Sequence, residues 1–330
     1  MNLTIGKLRR IQHCATDDGF FVIMALDHRN NLRRALNPTH PEAVGYGDMV
    51  AFKRDVVRAL APASSAVLLD PEFGAAQSVA AGALPGCTGL IVAVEATGYT
   101  DEPTARRSEV LPGWSVGKIA RMGASGVKLL LYYHPEAHNA AQQEALVDEV
   151  AAACRAYDMP LFLEPLSFAI DPGKKRLSSA EKRAVVVETA RRFTGRGIDV
   201  LKAEFPLDVE EEPDEAVWAD ACRELNEASR TPWVLLSAGV SFDVFARQTE
   251  IVCRSGASGV MAGRAVWQEA TDLRGDARSG FLHKTAVDRM NRLKAIIAEH
   301  GTPFTRDYPP SDDAIGETWY TDYQSGLAGS

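Results

Sequence analysis

Short apolar runs recur along the chain, each followed by an amphipathic or alanine-rich stretch, and this alternation predicts repeated βα units around a parallel sheet. The runs are "FFVIMALD" (20–27), "AVLLDP" (66–71), "LIVAVE" (90–95), "VKLLLYY" (127–133), "PLFLEP" (160–165), "DVLKAEF" (199–205), "PWVLLSAG" (232–239) and "SGVMAGR" (258–264), eight in all. The stretches at 47–61, 75–82, 114–122, 138–157, 178–194, 213–229 and 241–255 read as crossover helices. Ser178 three residues ahead of Glu181 forms a capping-box pattern at the start of one of them. Eight units closing on themselves make an α/β (β/α)8 TIM barrel. A doubly wound dinucleotide fold would show about five or six strands and a glycine-rich turn after the first. Here "HRNNLRR" follows the first run, without glycine.

Two elements fall outside the repeat: an extra helix at 3–16 and a long terminal helix at 280–300. We therefore expect one barrel domain over 1–300. The tail 301–330 mixes Pro, Asp and Gly with Phe304, Tyr308, Trp319, Tyr320 and Tyr323. It reads as an irregular or partly disordered arm whose aromatics are available to pin it, including to a neighbouring subunit.

Composition narrows the function classes. With 46% hydrophobic and 24% charged residues in 330, the chain has ample material for a core. A formal charge of -8 argues against a nucleic-acid or anionic-membrane surface, while leaving room for a basic pocket that captures an anionic metabolite. The N-terminal "MNLTIGKLRRIQHC" has no long apolar region, and no run of about 18 apolar residues occurs. A cytoplasmic protein is expected. Cys14, Cys87, Cys154, Cys222 and Cys253 are widely spaced without a CxxC or CxxH pair, so they predict buried thiols rather than disulfides or zinc.

In a barrel of this kind chemistry sits at the C-terminal ends of the strands. Here those ends are charged: Asp27, Asp70 with Glu72, Glu95, Lys128, Glu164, and Lys202 with Glu204. Alternate residues of a strand face opposite sides. Val200, Lys202 and Glu204 share one face while Leu201, Ala203 and Phe205 form the face a helix would cover, so Lys202 points into the barrel. By the same parity Phe162 and Glu164 point inward, as do Lys128 and Leu130. Lys128, Glu164 and Lys202 then lie on adjacent strands about 5 Å apart. A carboxylate between two lysines can be a plain ion cluster. It can also be a nucleophilic amine with its acid/base. Lysine attacks a carbonyl only as the neutral amine, which burial and a neighbouring cation favour, and Lys128 is the expected neighbour. Loss of water from the adduct and proton removal from a hydroxyl need a carboxyl within reach, which Glu164 supplies. The resulting protonated imine is itself the electron sink, so no metal or other cofactor is expected. No HxH or HExxH occurs, and His28 and His134 stand alone near strand ends.

The last two strands offer "SAGVS" (237–241) and "AGRA" (262–265), each with a glycine close to the start of a helix. Loops at these strands hold phosphate in many barrels, and Arg264 could add a bidentate contact. Asp27 and Glu95 fit either a sugar hydroxyl or a counter-ion for an inward lysine. Asp70 and Glu72, separated by Pro71, fit a turn.

Taken together, "ALDHR", "LLDPEFG", "EATGY", "VKLLLYYHP", "LFLEPL", "DVLKAEFP", "LSAGVS" and "AGRAVW" resemble the class I tagatose-bisphosphate aldolases and the related sulfofructosephosphate aldolases, over about residues 20 to 270. The resemblance implies a barrel in which Lys202 forms a Schiff base with a ketose phosphate and Glu164 transfers protons. It further implies that Asp27 and Lys128 line the substrate pocket, with Ser237, Gly239, Gly263 and Arg264 around phosphate; Glu95 and His28, at neighbouring strand ends, are expected as further substrate-binding residues. The implied enzyme is an aldehyde-lyase that works without metal, splitting tagatose 1,6-bisphosphate into dihydroxyacetone phosphate and glyceraldehyde 3-phosphate. The alternative substrate is sulfofructose 1-phosphate, giving sulfolactaldehyde. A dimer or tetramer is also implied. The chain departs from the family pattern at "ALDHRN", where tagatose enzymes show "ALDQRG", and at Ala96, where their "EKTGY" carries lysine. Two rivals remain at this level: a metal-dependent lyase or isomerase using Asp27, Glu95 and a histidine, and a non-catalytic sugar-phosphate sensor.

Overall fold

The eight apolar runs become eight strands of a closed parallel barrel in chain order, in a computed structural model that describes residues 3–311 and 315–323. They are β1 Phe21–Leu26, β2 Ala66–Leu69, β3 Gly89–Ala93, β4 Gly126–Tyr132, β5 Leu161–Leu166, β6 Val200–Ala203, β7 Trp233–Leu236 and β8 Gly259–Ala262. A helix α1, Ile5–Cys14, precedes them. Between the strands run α2 Asn30–Leu36, α3 Tyr46–Leu60, α4 Ala75–Ala80, α5 Val116–Arg121, α6 Ala140–Ala156, α7 Ser179–Phe193, α8 Glu215–Ala228 and α9 Phe242–Arg254. After β8 come α10 Arg264–Trp267, α11 Gly275–Phe281, α12 Val287–His300 and α13 Trp319–Asp322. Every crossover helix read from the sequence is present, and the Ser178–Glu181 capping box forms at α7. The predicted terminal helix is divided: one π-wound turn, Leu282–Ala286, joins α11 to α12. Helix α2 was not legible, since "NNLRRAL" opens without a capping side chain.

Barrel closure sorts the residues by parity. One buried set, including Phe21, Ile23, Ala66, Leu68, Ile91, Phe162, Val200, Val234 and Met261, fills the barrel interior. The alternate set, including Leu129, Leu163, Leu201, Trp233 and Leu235, joins the larger core beneath the helices. Burying each Val, Leu, Ile, Phe or Met side chain among them contributes roughly 1.5–3 kcal/mol. The floor of the barrel is covered by residues that follow the last long helix. Phe304 stacks on Phe21 with ring centres 5.8 Å apart, and the Tyr308 hydroxyl donates to the Asp199 carbonyl at 2.8 Å. The first residues of the tail thus plug the barrel floor of their own chain. Further on, the Tyr323 hydroxyl donates to Asp158 Oδ2 and accepts from the Gly6 amide, at 2.9 and 2.8 Å, while Trp319 and Tyr320 stay exposed. Under the floor Lys7 pairs with Asp199 at 2.7 Å. Burial pushes the Asp199 carboxyl up, with Lys7 opposing.

Four of the five cysteines are buried free thiols, as expected, and Cys87 is exposed. Among the described residues no helix is long and apolar enough to cross a membrane.

Strand closure imposes one demand that only glycine meets. Gly259 has φ +141°, and a methyl group built on it would lie 1.9 Å from the Phe21 carbonyl oxygen where β8 meets β1. Gly259→Ala is expected to cost about 3 kcal/mol or more, or to prevent folding. Gly280→Ala, on α11 with open space around it, should stay within about 1 kcal/mol of the parent. Urea midpoints of the two variants check both values.

Candidate active site

Strand register brings three of the charged residues together at the mouth of the barrel. Lys128 stands opposite Phe162 and Leu130 opposite Glu164 across β4 and β5. Phe162 stands opposite Val200 across β5 and β6, and that register, continued upward, sets Glu164 opposite Lys202. The inward positions just past the core layer, Asp27, Glu95, Lys128, Glu164, Lys202, Leu236 and Gly263, line a cavity of about 680 Å³.

Lys128 is the hub of the charge arrangement. Fully buried, its Nζ lies 2.7 Å from Asp27 Oδ2, 2.7 Å from Glu95 Oε1 and 2.9 Å from Glu164 Oε2. Glu164 reaches the other way to Lys202, with Oε1 at 2.8 Å from Nζ. Glu95 is fixed further by the Leu130 amide, which donates to its Oε2 at 3.1 Å. Burial opposes ionisation of Asp27 and Glu164, but the ammonium groups of Lys128 and Lys202 outweigh it. Both carboxyls are held below the usual range, Asp27 well below. Burial likewise works against the charge of Lys128, and the carboxylates of Asp27, Glu164 and Glu95 overcome it, so its pKa rises well above that of an ordinary lysine. This corrects one expectation from the sequence. Lys128 does not bring a free positive charge beside Lys202, because its charge is offset by three carboxylates within 2.9 Å, of which Asp27 and Glu95 accept its hydrogen bonds.

His28 lines the same cavity, its ring edge-on to Trp267 with centres 5.2 Å apart. Its Nδ1 is buried 3.9 Å from Asp27 Oδ1, without a hydrogen-bond partner among the described residues. Burial, with the charges of Arg264, Lys53 and Lys202, lowers its pKa to about 4 against the pull of Asp27. His134 lies apart, accepting from the Glu136 amide at 3.1 Å.

The loops after β7 and β8 form the opposite wall. Ser237, Ala238, Gly263 and Arg264 face the cavity, and the Gly263 amide donates to Ser237 Oγ at 3.1 Å. Gly239 departs from expectation. It does not line the cavity but lies behind the Arg264 guanidinium, with a φ of +83° that favours glycine. Among the described residues Arg264 donates only to the Ala238 carbonyl, at 3.3 Å, so much of its fork remains open. Asp70 and Glu72 make the turn the sequence suggested: Asp70 Oδ2 accepts from the Glu72 and Phe73 amides at 3.0 and 2.8 Å.

Several lining residues were not found from the sequence. Arg29 is buried, donating to Glu72 at 2.8 Å and to the Glu95 carbonyl at 2.7 Å. Arg34 projects at the rim with Asn31 as its partner. The segment after β3 folds back as a narrow hairpin, bridged at Glu95–Val110 and Thr100–Arg107. It carries Thr97 and Tyr99 to the cavity wall. Arg106 stacks there over Tyr99, Phe168 and Tyr132, at 4.8, 5.4 and 5.7 Å. The aromatic-plus-arginine content of "TGYTDEPTARR" was the available signal. Among the described residues no group of three or more His, Cys, Asp or Glu is arranged to hold a metal ion.

The pKa of His28 has a measurable consequence. An unfolded histidine takes up a proton below about 6.5, whereas the folded His28 resists protonation down to about 4. Its contribution to stability is therefore present above pH 6.5 and is lost as pH falls toward 4. His28→Gln is expected to lose about 2 kcal/mol less stability than the parent between pH 7 and 4.5. Urea unfolding at the two pH values tests this; equal losses would contradict it.

Comparison with known proteins agrees with this geometry. Residues 21–269 match the family described as DeoC/LacD family aldolase. The tagatose 1,6-diphosphate aldolase of Lactococcus lactis subsp. lactis is 31% identical, covering 92% of this chain and 99% of that protein. That of Listeria monocytogenes is 28% identical over 95% of this chain and 98% of its own length. Among solved structures, a fructose-bisphosphate aldolase from Plasmodium falciparum shares the fold with a TM-score of 0.70 at 14% identity, covering 92% of this chain and 98% of that one. An archaeal fructose 1,6-bisphosphate aldolase does so with 0.58 at 17%, covering 89% and 99%. A closed barrel with charged strand ends, matched over most of its length by aldolase sequences, leads to one assignment: this chain belongs to the DeoC/LacD family of aldolases.

Proposed function

We propose that the chain is a class I aldolase in which Lys202 forms a Schiff base with a phosphorylated ketose and Glu164 transfers protons. The observation that carries this reading is the unequal treatment of two buried lysines. Lys128 is held by three carboxylates, whereas Lys202, at the end of β6 and facing the cavity, has Glu164 Oε1 as its acidic neighbour at 2.8 Å.

In this scheme the Lys202 ammonium passes a proton to Glu164 across their 2.8 Å contact, and the neutral amine attacks the ketose carbonyl. Glu164 returns that proton to the carbinolamine hydroxyl as water leaves, which yields the protonated imine and the carboxylate. The protonated imine then accepts the electron pair of the breaking carbon–carbon bond as a proton leaves the adjacent hydroxyl, releasing the aldehyde. Protonation of the enamine and hydrolysis return the amine and free dihydroxyacetone phosphate. The proton acceptor must be ionised at neutral pH, and the depressed pKa of Glu164 supports that. The open fork of Arg264 beside Ser237 suits the phosphate of the half that stays bound. Arg34 at the rim suits a second anionic group.

The substrate we favour is tagatose 1,6-bisphosphate, giving dihydroxyacetone phosphate and glyceraldehyde 3-phosphate. The names of the relatives support it. A second reading, sulfofructose 1-phosphate, draws support from Ala96, which leaves the cavity wall uncharged where tagatose enzymes carry lysine. A sulfonate, with a single negative charge, asks for less positive charge than a phosphate. The enzyme is proposed to act in the cytoplasm as a homo-oligomer.

Incubation with dihydroxyacetone phosphate, borohydride reduction and peptide mass mapping should place the reduced adduct on Lys202 and not on Lys128; an unmodified Lys202 peptide refutes the assignment. Glu164→Gln should lower kcat by about 10²–10⁴-fold. In a triose-phosphate release assay, tagatose 1,6-bisphosphate should be cleaved with higher kcat/KM than sulfofructose 1-phosphate, and the reverse order would select the second substrate. Binding of both ketoses without turnover would mark the chain as a sensor.

A further inference from the structure

Lys53 is a charged residue on the buried face of α3, among Met49, Phe52, Val56 and Val57, and it is wholly excluded from solvent. It reaches the rim of the barrel rather than the surface. Its Nζ donates to the Leu26 carbonyl at 2.6 Å, to the His28 carbonyl at 2.8 Å, and to Asp70 Oδ1. The two carbonyls belong to the residues immediately before and after Asp27. Asp70 in turn is fixed at the end of β2, where its second oxygen caps the turn.

A buried ion pair is weak grounds for stability, since apolar residues of the same size often serve as well. The placement of the three donors carries more weight. A strand end that leaves the sheet at Leu26 has no ladder partner to fix its next peptide groups, and main-chain carbonyls buried without a donor are costly. Lys53 supplies donors to two of them and ties them to α3 and β2. The side chain between them, Asp27, has its Oδ2 2.7 Å from Lys128, which holds Glu164 and Glu95.

We propose that Lys53 is a positioning residue: it clamps the backbone on both sides of Asp27 so that this carboxylate meets Lys128 and the bound sugar in one orientation. The kinetic part of the test rests on the aldolase reading, while the structural part does not. The variant is Lys53→Met combined with Asp70→Asn, which removes both buried charges yet keeps an oxygen for the turn at Glu72 and Phe73. In its crystal structure Asp27 Oδ2 should have left hydrogen-bond distance of Lys128 Nζ; an unchanged contact overturns the proposal. In kinetics kcat/KM should fall about 10- to 100-fold, mostly through kcat, as expected for a misplaced group. Added to Asp27→Asn, the same pair of substitutions should cost less than about twofold, because sites acting through one another are not additive. A full loss in that background would mark Lys53 as a merely structural contact. If the methionine pair does not fold, Lys53→Gln with Asp70→Asn, polar but one bond shorter, should show a smaller displacement and about a fivefold loss, and no change in either overturns the proposal. Failure of the aldolase reading shows separately, as a missing adduct on Lys202 in the parent enzyme.

Discussion

The site is organised around the ammonium of Lys128 and the three carboxylates that converge on it. Three carboxylates cannot ionise together in a buried space without a cation between them, because each is desolvated and each repels the others. With Lys128 at 2.7–2.9 Å from Asp27, Glu95 and Glu164, all three ends of β1, β3 and β5 are drawn toward β4. The Coulomb attraction is strengthened by burial, and removal of the lysine would leave Asp27 without its ammonium partner and Glu164 with Lys202 alone. Everything the cavity offers a ligand is set relative to that centre, including the distance between Glu164 and Lys202.

The same centre separates the roles of the two lysines. Lys128 is surrounded by three carboxylates, whereas Lys202 points at the cavity from the next-but-one strand. Outward from the centre, supporting contacts come from elements distant in sequence: Arg29 links Glu72 to the Glu95 main chain, Lys53 links α3 to the residues around Asp27, and Trp267 donates to the Ala25 carbonyl at 3.0 Å. The phosphate-facing wall is built differently, from Ser237, Gly263 and a half-buried arginine, and it is the open side of an otherwise paired cavity.

Parity carried the sequence reading further than composition or motif. Period-2 alternation in "DVLKAEF" and "PLFLEP" was enough to send Lys202 and Glu164 inward, because a closed barrel converts alternation directly into inside and outside. It could not say how Lys128 would be shared, since Asp27 and Glu95 reach it from strands whose stagger depends on barrel closure. Lys53 and Arg29 escaped for another reason. A lysine on a helix reads as solvated, and only the tertiary meeting of α3 with the ends of β1 and β2 reveals that its ammonium is enclosed. Gly239 was placed with the phosphate because a glycine after a strand suggests an exposed amide; in the structure it stands behind Arg264, outside the cavity lining, with a positive φ. The hairpin after β3 and the seating of Phe304 on Phe21 depend on long-range packing that no local pattern encodes.

The central claim is that Lys128 keeps Glu164 ionised next to Lys202. Carboxyl-carbon NMR titration of glutamate-labelled protein, with Glu164 assigned through Glu164→Gln, measures it directly. The account predicts that Glu164 titrates below the ordinary glutamate value of about 4.3 in the parent. In Lys128→Met it should move upward by more than about one unit. A Glu164 that is protonated near neutral pH in the parent, or one that titrates identically with and without Lys128, would contradict it.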